Sequence, residues 1–263
     1  MYKTNFAHVT IIFMKALVIA NWKMNPQTLA EAKKLLEGTK KAADKAKGAT
    51  VVVVPPAIFL HELRASYRGK KLSFGIQNAH AESAGSYTGE ISLAQAHAAG
   101  ASWAIVGHAE RRAMGETDLD IRKKVAVALA LKMTPVLCIG EKARDTSGEH
   151  LNLVKEQLKA GLADVPAAKL SKVVIAYEPV WAIGATEAMR PHDMHEMAIF
   201  IRKTLFDIYG KPGMTAKILY GGSIDETNAP AMLCEGDVEG LLVGRASADS
   251  ARFTRLLAAV EKA

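Results

Sequence analysis

Residues 16–25 read ALVIANWKMN, and the residues after the apolar run decide between two folds. ALVIA (16–20) has the composition of a strand covered on both faces, as in a parallel sheet. An open, doubly wound sheet usually follows its first strand with a glycine-rich turn that meets a dinucleotide. Here the strand runs into NWKMN instead. Outward from it lie seven more apolar runs: TVVVV (50–54), SFGIQ (73–77), WAIVG (103–107), PVLCI (135–139), KVVIAY (172–177), KILYG (217–221) and GLLVG (240–244). Helix-length segments follow them at 27–47, 57–67, 92–99, 118–132, 148–163, 191–209, 225–235 and 247–262. Strand then helix, eight times in 263 residues, is the arithmetic of one closed parallel (β/α)8 barrel.

Local signals support the helices. Thr28 and Glu31 have capping-box spacing, Asp118 and Pro191 open apolar-periodic segments, and Gly210 stands as a stop. No Gly/Ser- or Pro-rich linker divides the chain, so 14–263 reads as a single domain. Residues 1–13 read as an extension outside the fold. The stretch VTIIFMKALVIA (9–20) imitates a signal sequence, but Lys15 interrupts it and no small-residue cleavage site comes after it, which argues against a signal peptide or membrane span.

The net charge of +7 raises the question of nucleic acid. The basic residues, however, lie on helix-like segments such as EAKKLLEGTKKAADKAK at the spacing of a solvated face, with no nucleic-acid-binding motif. Attraction of small anions is the milder implication. The two cysteines, Cys138 and Cys234, make no disulfide framework and point to a reducing, cytoplasmic setting. Histidines are dispersed and no His/Asp/Glu cluster has ligand spacing, so no metal is expected.

In such barrels the chemistry sits at the C-terminal ends of the strands and the loops beyond. Those ends carry Asn21 and Lys23, Gln77 and Asn78, His108 and Glu110, Glu178, the turn YGGS (220–223) and VGR (243–245). A base, an imidazole, a cation and glycine-rich anion loops therefore share one face. Each residue has a plainer reading: Lys23 as a surface lysine, His108 as a satisfied core histidine, Glu110 as a charge partner for Lys23 or Arg111, Trp181 as packing, and Glu178 as a solvated strand end. Gly107 allows close approach, and AERR after His108 can start a short helix aimed at the ring. Gly221–Gly222 before DETNAPAML fits a backbone nest and helix start suited to phosphate. A Schiff-base aldolase is the weaker enzyme reading, because strand six carries Glu178 where a lysine would serve.

Taken together, NWKMN (21–25), QNAHAESAGSYTGE (77–90), GHAERR (107–112), CIGE (138–141), AYEPVWAIG (176–184), YGGS (220–223) and LLVGRAS (241–247) resemble the triosephosphate isomerase family, in order, from about residue 14 to the end. The resemblance implies a TIM barrel and a cofactor-free aldose–ketose isomerase of glycolysis and gluconeogenesis. It implies Glu178 as the base between adjacent carbons of a triose phosphate, His108 as a neutral imidazole polarising the carbonyl, Lys23 stabilising the enediolate and Asn21 placing the substrate. An apolar shell of Val180, Trp181 and Ile183 would make Glu178 more basic. Backbone N–H groups of Gly184, Ser223, Gly244 and Arg245 would hold the phosphate, with Glu110 and Tyr220 in support and 179–189 as a lid. Thr88, Glu90 and Arg111 would contribute to a homodimer contact.

The chain departs from the family pattern in four places. Ala109 stands where a serine is usual, Thr186 and Glu187 alter the lid (GATEAM for GTGKTA), and Arg245 replaces the second glycine of a pair. These departures admit a tetrulose phosphate as an alternative substrate. A non-catalytic phosphate-binding barrel is the reading from another class.

Overall fold

The computed structural model describes residues 15–183 and 188–263. The extension read at 1–13 and the lid positions Gly184, Thr186 and Glu187 lie outside the described residues. Eight strands, β1 (Ala16–Asn21), β2 (Ala49–Val54), β3 (Leu72–Ile76), β4 (Trp103–Val106), β5 (Thr134–Ile139), β6 (Val174–Tyr177), β7 (Lys217–Tyr220) and β8 (Gly240–Val243), pair in parallel and in sequence order. β1 also pairs with β8, Leu17 opposite Gly240, and this contact closes the barrel.

The surrounding α-helices are α1 (Leu29–Lys45), α2 (Ala57–Ser66), α3 (Leu93–Ala98), α4 (Ala109–Ala113), α5 (Asp118–Ala130), α6 (Glu149–Leu162), α7 (Pro191–Tyr209), α8 (Ala229–Cys234) and α9 (Ser250–Val260). The Thr28–Glu31 capping box is formed in both directions, and Gly210 ends α7 at a φ of 65°. A second box, Thr117 with Asp120, starts α5. β6 begins later than its apolar run because 167–172 first coils into a 3₁₀ turn.

The strand sequences are apolar on both faces because both faces are buried. Leu17 and Ile19 of β1 join Val52, Val54, Ile105, Val136, Cys138, Val174, Ala176, Leu219 and Leu242 in an inner cluster that fills the barrel. The intervening residues, such as Val18, Ala20, Val51 and Ile175, belong to the outer cluster beneath the helices. Each such aliphatic side chain contributes roughly 1.5–3 kcal/mol by leaving water. Period-2 alternation then fixes where the polar residues go. Asn21 continues the inward series of Leu17 and Ile19, and Glu178 continues that of Val174 and Ala176. Both arrive at the C-terminal mouth, facing in.

Two glycines make this mouth possible. Gly107 has a φ of +75°, and an added Cβ would lie 2.8 Å from Ile121 Cδ1. This left-handed residue ends β4 and turns the chain so that His108 faces inward. At Gly140 a Cβ would fall 1.9 Å from the Glu178 carbonyl oxygen. Only glycine lets the ends of β5 and β6 approach so closely.

Candidate active site

His108 and Glu178 meet at the centre of the mouth. His108 Nε2 lies 3.1 Å from Glu178 Oε1, and the two residues are only 6% and 2% exposed. The Ala109 N–H donates to Glu178 Oε2 at 2.9 Å. On the other side of the ring, the Glu110 N–H donates to His108 Nδ1 at 3.1 Å. An Nδ1 that accepts a backbone N–H holds no proton, so the hydrogen sits on Nε2 and the ring is a neutral donor. His108 is the N-cap of α4, and the short helix supplies both N–H groups. Burial raises the Glu178 carboxyl above the ordinary glutamate range; His108 and the Ala109 N–H pull the other way and only partly offset it. The Cys138 thiol, in the barrel interior behind it, is also pushed up by burial and by the nearby carboxylate.

Lys23 stands beside this pair with a backbone φ of 53°, an uncommon conformation for a lysine. Two contacts hold it there. Its N–H donates to Asn21 Oδ1 at 3.1 Å, and its carbonyl accepts from Gln77 Nε2 at 2.8 Å. Its ammonium reaches Glu110 Oε1 at 2.5 Å, which settles the partner of Glu110 as Lys23 rather than Arg111. Ser247, fully buried, has its hydroxyl within hydrogen-bond reach of the carbonyls of Gly244 at 2.7 Å, Val243 at 2.9 Å and Asn21 at 3.2 Å, so it sits between the end of β1 and the loop after β8.

Asn21, Lys23, His108, Glu110, Glu178, Ser223, Gly244 and Arg245 all line one cavity of about 500 Å³. Of the residues expected at the phosphate end, Gly184 lies outside the described residues. The expected helix start after YGGS needs correction. α8 begins at Ala229, and 225–228 form a turn in which Asp225 Oδ1 accepts the Thr227 N–H at 2.8 Å and the Asn228 N–H at 3.2 Å. The wall there is Gly221, Gly222, Ser223 and Ile224, a run of turn backbone and not a helix N-terminus.

The apolar shell also needs correction. Ile183 lines the cavity, but Trp181 is 39% exposed and its indole N–H donates to Glu141 Oε1 at 2.9 Å. Glu141 is 1% exposed and accepts from the Tyr177 hydroxyl at 2.7 Å as well. Trp181 is therefore a hydrogen-bonded anchor for the chain that follows β6, and the barrel itself desolvates Glu178. At the exit from that segment, the Met189 N–H donates to the Tyr220 hydroxyl at 3.3 Å. Burial pushes the Tyr220 phenol up to about 12, so it stays protonated.

One cluster was not expected from sequence. At the start of α7, His192, Asp193 and Glu196 bring donor atoms within 4.8 Å of one another. Arg190 already engages both oxygens of Asp193, at 2.9 and 2.8 Å, so the exposed group is a helix-start salt bridge, not a metal centre built for a ligand.

A family model described as triosephosphate isomerase matches residues 16–260. The chain belongs to the triosephosphate isomerase family. Among its relatives, a triosephosphate isomerase of Endomicrobium trichonymphae is 38% identical over 245 residues, covering 92% of this chain and 98% of the relative. One of Roseiflexus sp. (strain RS-1) is 39% identical over 92% of this chain and 96% of its own length. One of Lawsonia intracellularis is 37% identical over 93% and 98%. Against the triosephosphate isomerase pattern, Ala109 lacks a side-chain hydroxyl, yet its backbone N–H still holds the carboxylate. Arg245 is exposed on the rim of the cavity, joined by Arg252 from the first turn of α9. Among the described residues no helix is long and apolar enough to cross a membrane.

Proposed function

We propose that the chain is a cofactor-free aldose–ketose isomerase that interconverts dihydroxyacetone phosphate and D-glyceraldehyde 3-phosphate. The contact between His108 Nε2 and Glu178 Oε1, 3.1 Å long and nearly closed to solvent, carries this reading. Within the site the groups satisfy one another: the ring donates to the carboxylate, and Lys23 rests on Glu110. A substrate carbonyl entering the cavity takes over the Nε2–H and draws the ammonium. Glu178 then loses one of its hydrogen bonds in a buried place and becomes a stronger base.

Glu178 removes a proton from the carbon bearing the hydroxyl. The C–H electron pair forms the enediolate double bond, and the carbonyl π pair moves onto oxygen, where His108 and Lys23 stabilise the charge. Asn21 keeps Lys23 in place through the Lys23 N–H. The C2 oxygen takes up a proton and the neighbouring hydroxyl gives one up, a shift that the His108 imidazole is placed to mediate; Glu178 returns its proton to the neighbouring carbon as the new carbonyl forms, and the net reaction is redox-neutral. A glutamate base working with a neutral histidine is the established pairing of this enzyme family, so the pairing itself is not new. The phosphate lies against the backbone of Ser223, Gly244 and Arg245, with Tyr220 supporting the chain at Met189.

A homodimer is part of this reading. Thr88 and Glu90 are exposed on a loop where His80 and Tyr87 stack with ring centroids 4.1 Å apart. Tyr87, Glu90, Arg111 and Met114 line a second cavity, Arg111 Nε is buried with no hydrogen-bond partner among the described residues, and Met114 is 74% exposed. Apolar surface and an unsatisfied donor in one place support a covering partner, here a second copy. A cytoplasmic location accords with the chemistry and with the free cysteines.

The test is turnover of dihydroxyacetone phosphate in deuterated water, with a four-carbon ketose phosphate in parallel. Deuterium at C2 of the product aldose, with the triose turned over faster than the tetrulose, is the expected result. Binding without hydrogen exchange would remove the isomerase reading, and a faster tetrulose would move the substrate by one carbon.

A further inference from the structure

The arginines around the mouth are mostly committed. Arg112 pairs with Asp118 at 2.7 Å, Arg144 approaches Glu141 at 3.5 Å, and Arg255 pairs with Glu226 at 2.7 Å. Arg245 and Arg252 differ. Both line the cavity that holds His108 and Glu178, both are exposed, and among the described residues neither side chain makes a hydrogen bond or ion pair. Asp225, which lines the same cavity, already accepts from the Thr227 hydroxyl at 2.5 Å and from two backbone N–H groups. Arg245 directly follows Gly244, where an added Cβ would lie 3.3 Å from Lys23 Cε. Three permanent or near-permanent cations, Lys23, Arg245 and Arg252, therefore border one rim, and among the described residues only Lys23 has a carboxylate partner.

A guanidinium cannot lose its proton and offers a planar fork of donors suited to phosphate oxygens. Two such groups left unpaired at the mouth of a polar cavity have their donors available to an entering anion. We propose that the Arg245 and Arg252 side chains clamp the phosphate of the substrate, adding charge recognition to the amide-lined turn. This makes the pair specificity-determining: they select phosphate esters over uncharged trioses. The inference rests on the isomerase reading for its substrate, and it goes further by giving the phosphate two side-chain contacts that a loop with glycine in place of Arg245 could not fully supply.

The experiment compares wild type with R245Q, R252Q and R245K. Two quantities are read: the ratio of kcat/KM for the triose phosphate to that for unphosphorylated glyceraldehyde, and the competitive inhibition constant of inorganic phosphate. R245Q is expected to lower the ratio roughly tenfold and to weaken phosphate inhibition by a similar factor, the size of one charge-assisted hydrogen bond. R252Q should give about a threefold effect, since Arg252 stands on α9 and not on the turn that carries Ser247 and Gly244. R245K should keep most of the inhibition while losing the bidentate share. Unchanged ratio and unchanged inhibition in both Gln variants would overturn the clamp, as would an equal loss on both substrates, which marks a merely structural role. Failure of the isomerase reading is distinguishable, because it shows as absent turnover in wild type. Phosphate binding by calorimetry then still reports the clamp, present if R245Q weakens it and refuted if it does not.

Discussion

The two ends of the cavity are built in opposite ways. At the reacting end, His108 and Glu178 are almost fully buried, face each other at 3.1 Å, and are held by N–H groups of a short helix. At the anion end, Ser223, Gly244 and Arg245 sit on turns, with Arg245 and Arg252 reaching into solvent. On the proposed roles, the difference reflects the task of each end. Proton transfer tolerates little misplacement, so its groups are fixed by backbone and packing. A phosphate is a diffuse charge that several donors share, so its contacts can be graded and exchangeable.

If this contrast is real, substitutions at the reacting end should act steeply and those at the other end mildly. The steepest should be Glu178→Gln, which keeps size and removes the base: kcat falls roughly 10³-fold, about 4 kcal/mol, with KM little changed. A kcat within tenfold of wild type would take Glu178 out of the mechanism. Next comes Gly107→Ala. A side chain at a φ of +75° pressed 2.8 Å from Ile121 Cδ1 should destabilise the fold by about 2 kcal/mol or more, read from urea unfolding. An unchanged midpoint would mean that β4 can end in another way.

A smaller effect sharpens the same point. Burial raises the folded-state pKa of Glu178, so the unfolded chain ionises there first as pH rises. The group imposes no charge penalty below about pH 4; the penalty grows as pH rises from the unfolded value to the raised one and is constant above it. Glu178→Gln should therefore gain in stability relative to wild type as pH rises above the ordinary glutamate range, with the difference smallest below about pH 4. A pH-independent difference would argue that the carboxylate is not desolvated. The mildest change is Tyr220→Phe, which removes the acceptor for the Met189 N–H at the lid exit and should cost about 0.5–1 kcal/mol in kcat/KM. A hundredfold loss there would erase the contrast, since it would put the loop end on the same footing as the base.

Much of this was legible in sequence because burial on both faces leaves unmistakable apolar runs. NWKMN after the first of them separated a closed barrel from an open sheet, and reading only strand ends brought out Asn21, Lys23, His108 and Glu178. The contacts between loops escaped. Glu141 gave no signal that it would gather Tyr177 and Trp181, so Trp181 read as packing. Arg252 lies on the first turn of a helix, past the strand end, where nothing in its neighbours marks it as facing the cavity. The segment 225–228 reads as part of the helix after it, but the Asp225 and Asn228 side chains bond to nearby backbone and hold a turn in its place. The His192 cluster escaped for a related reason: its proximity is made by helical geometry, and Arg190 then takes up its carboxylate.

Barrel closure joins Leu17 to Gly240, and Ser247 stitches the two ends together at Asn21. A nascent chain leaving the ribosome therefore cannot complete its sheet until nearly the last helix has been translated. Until then the first strand waits without its second neighbour, in need of shelter from other chains.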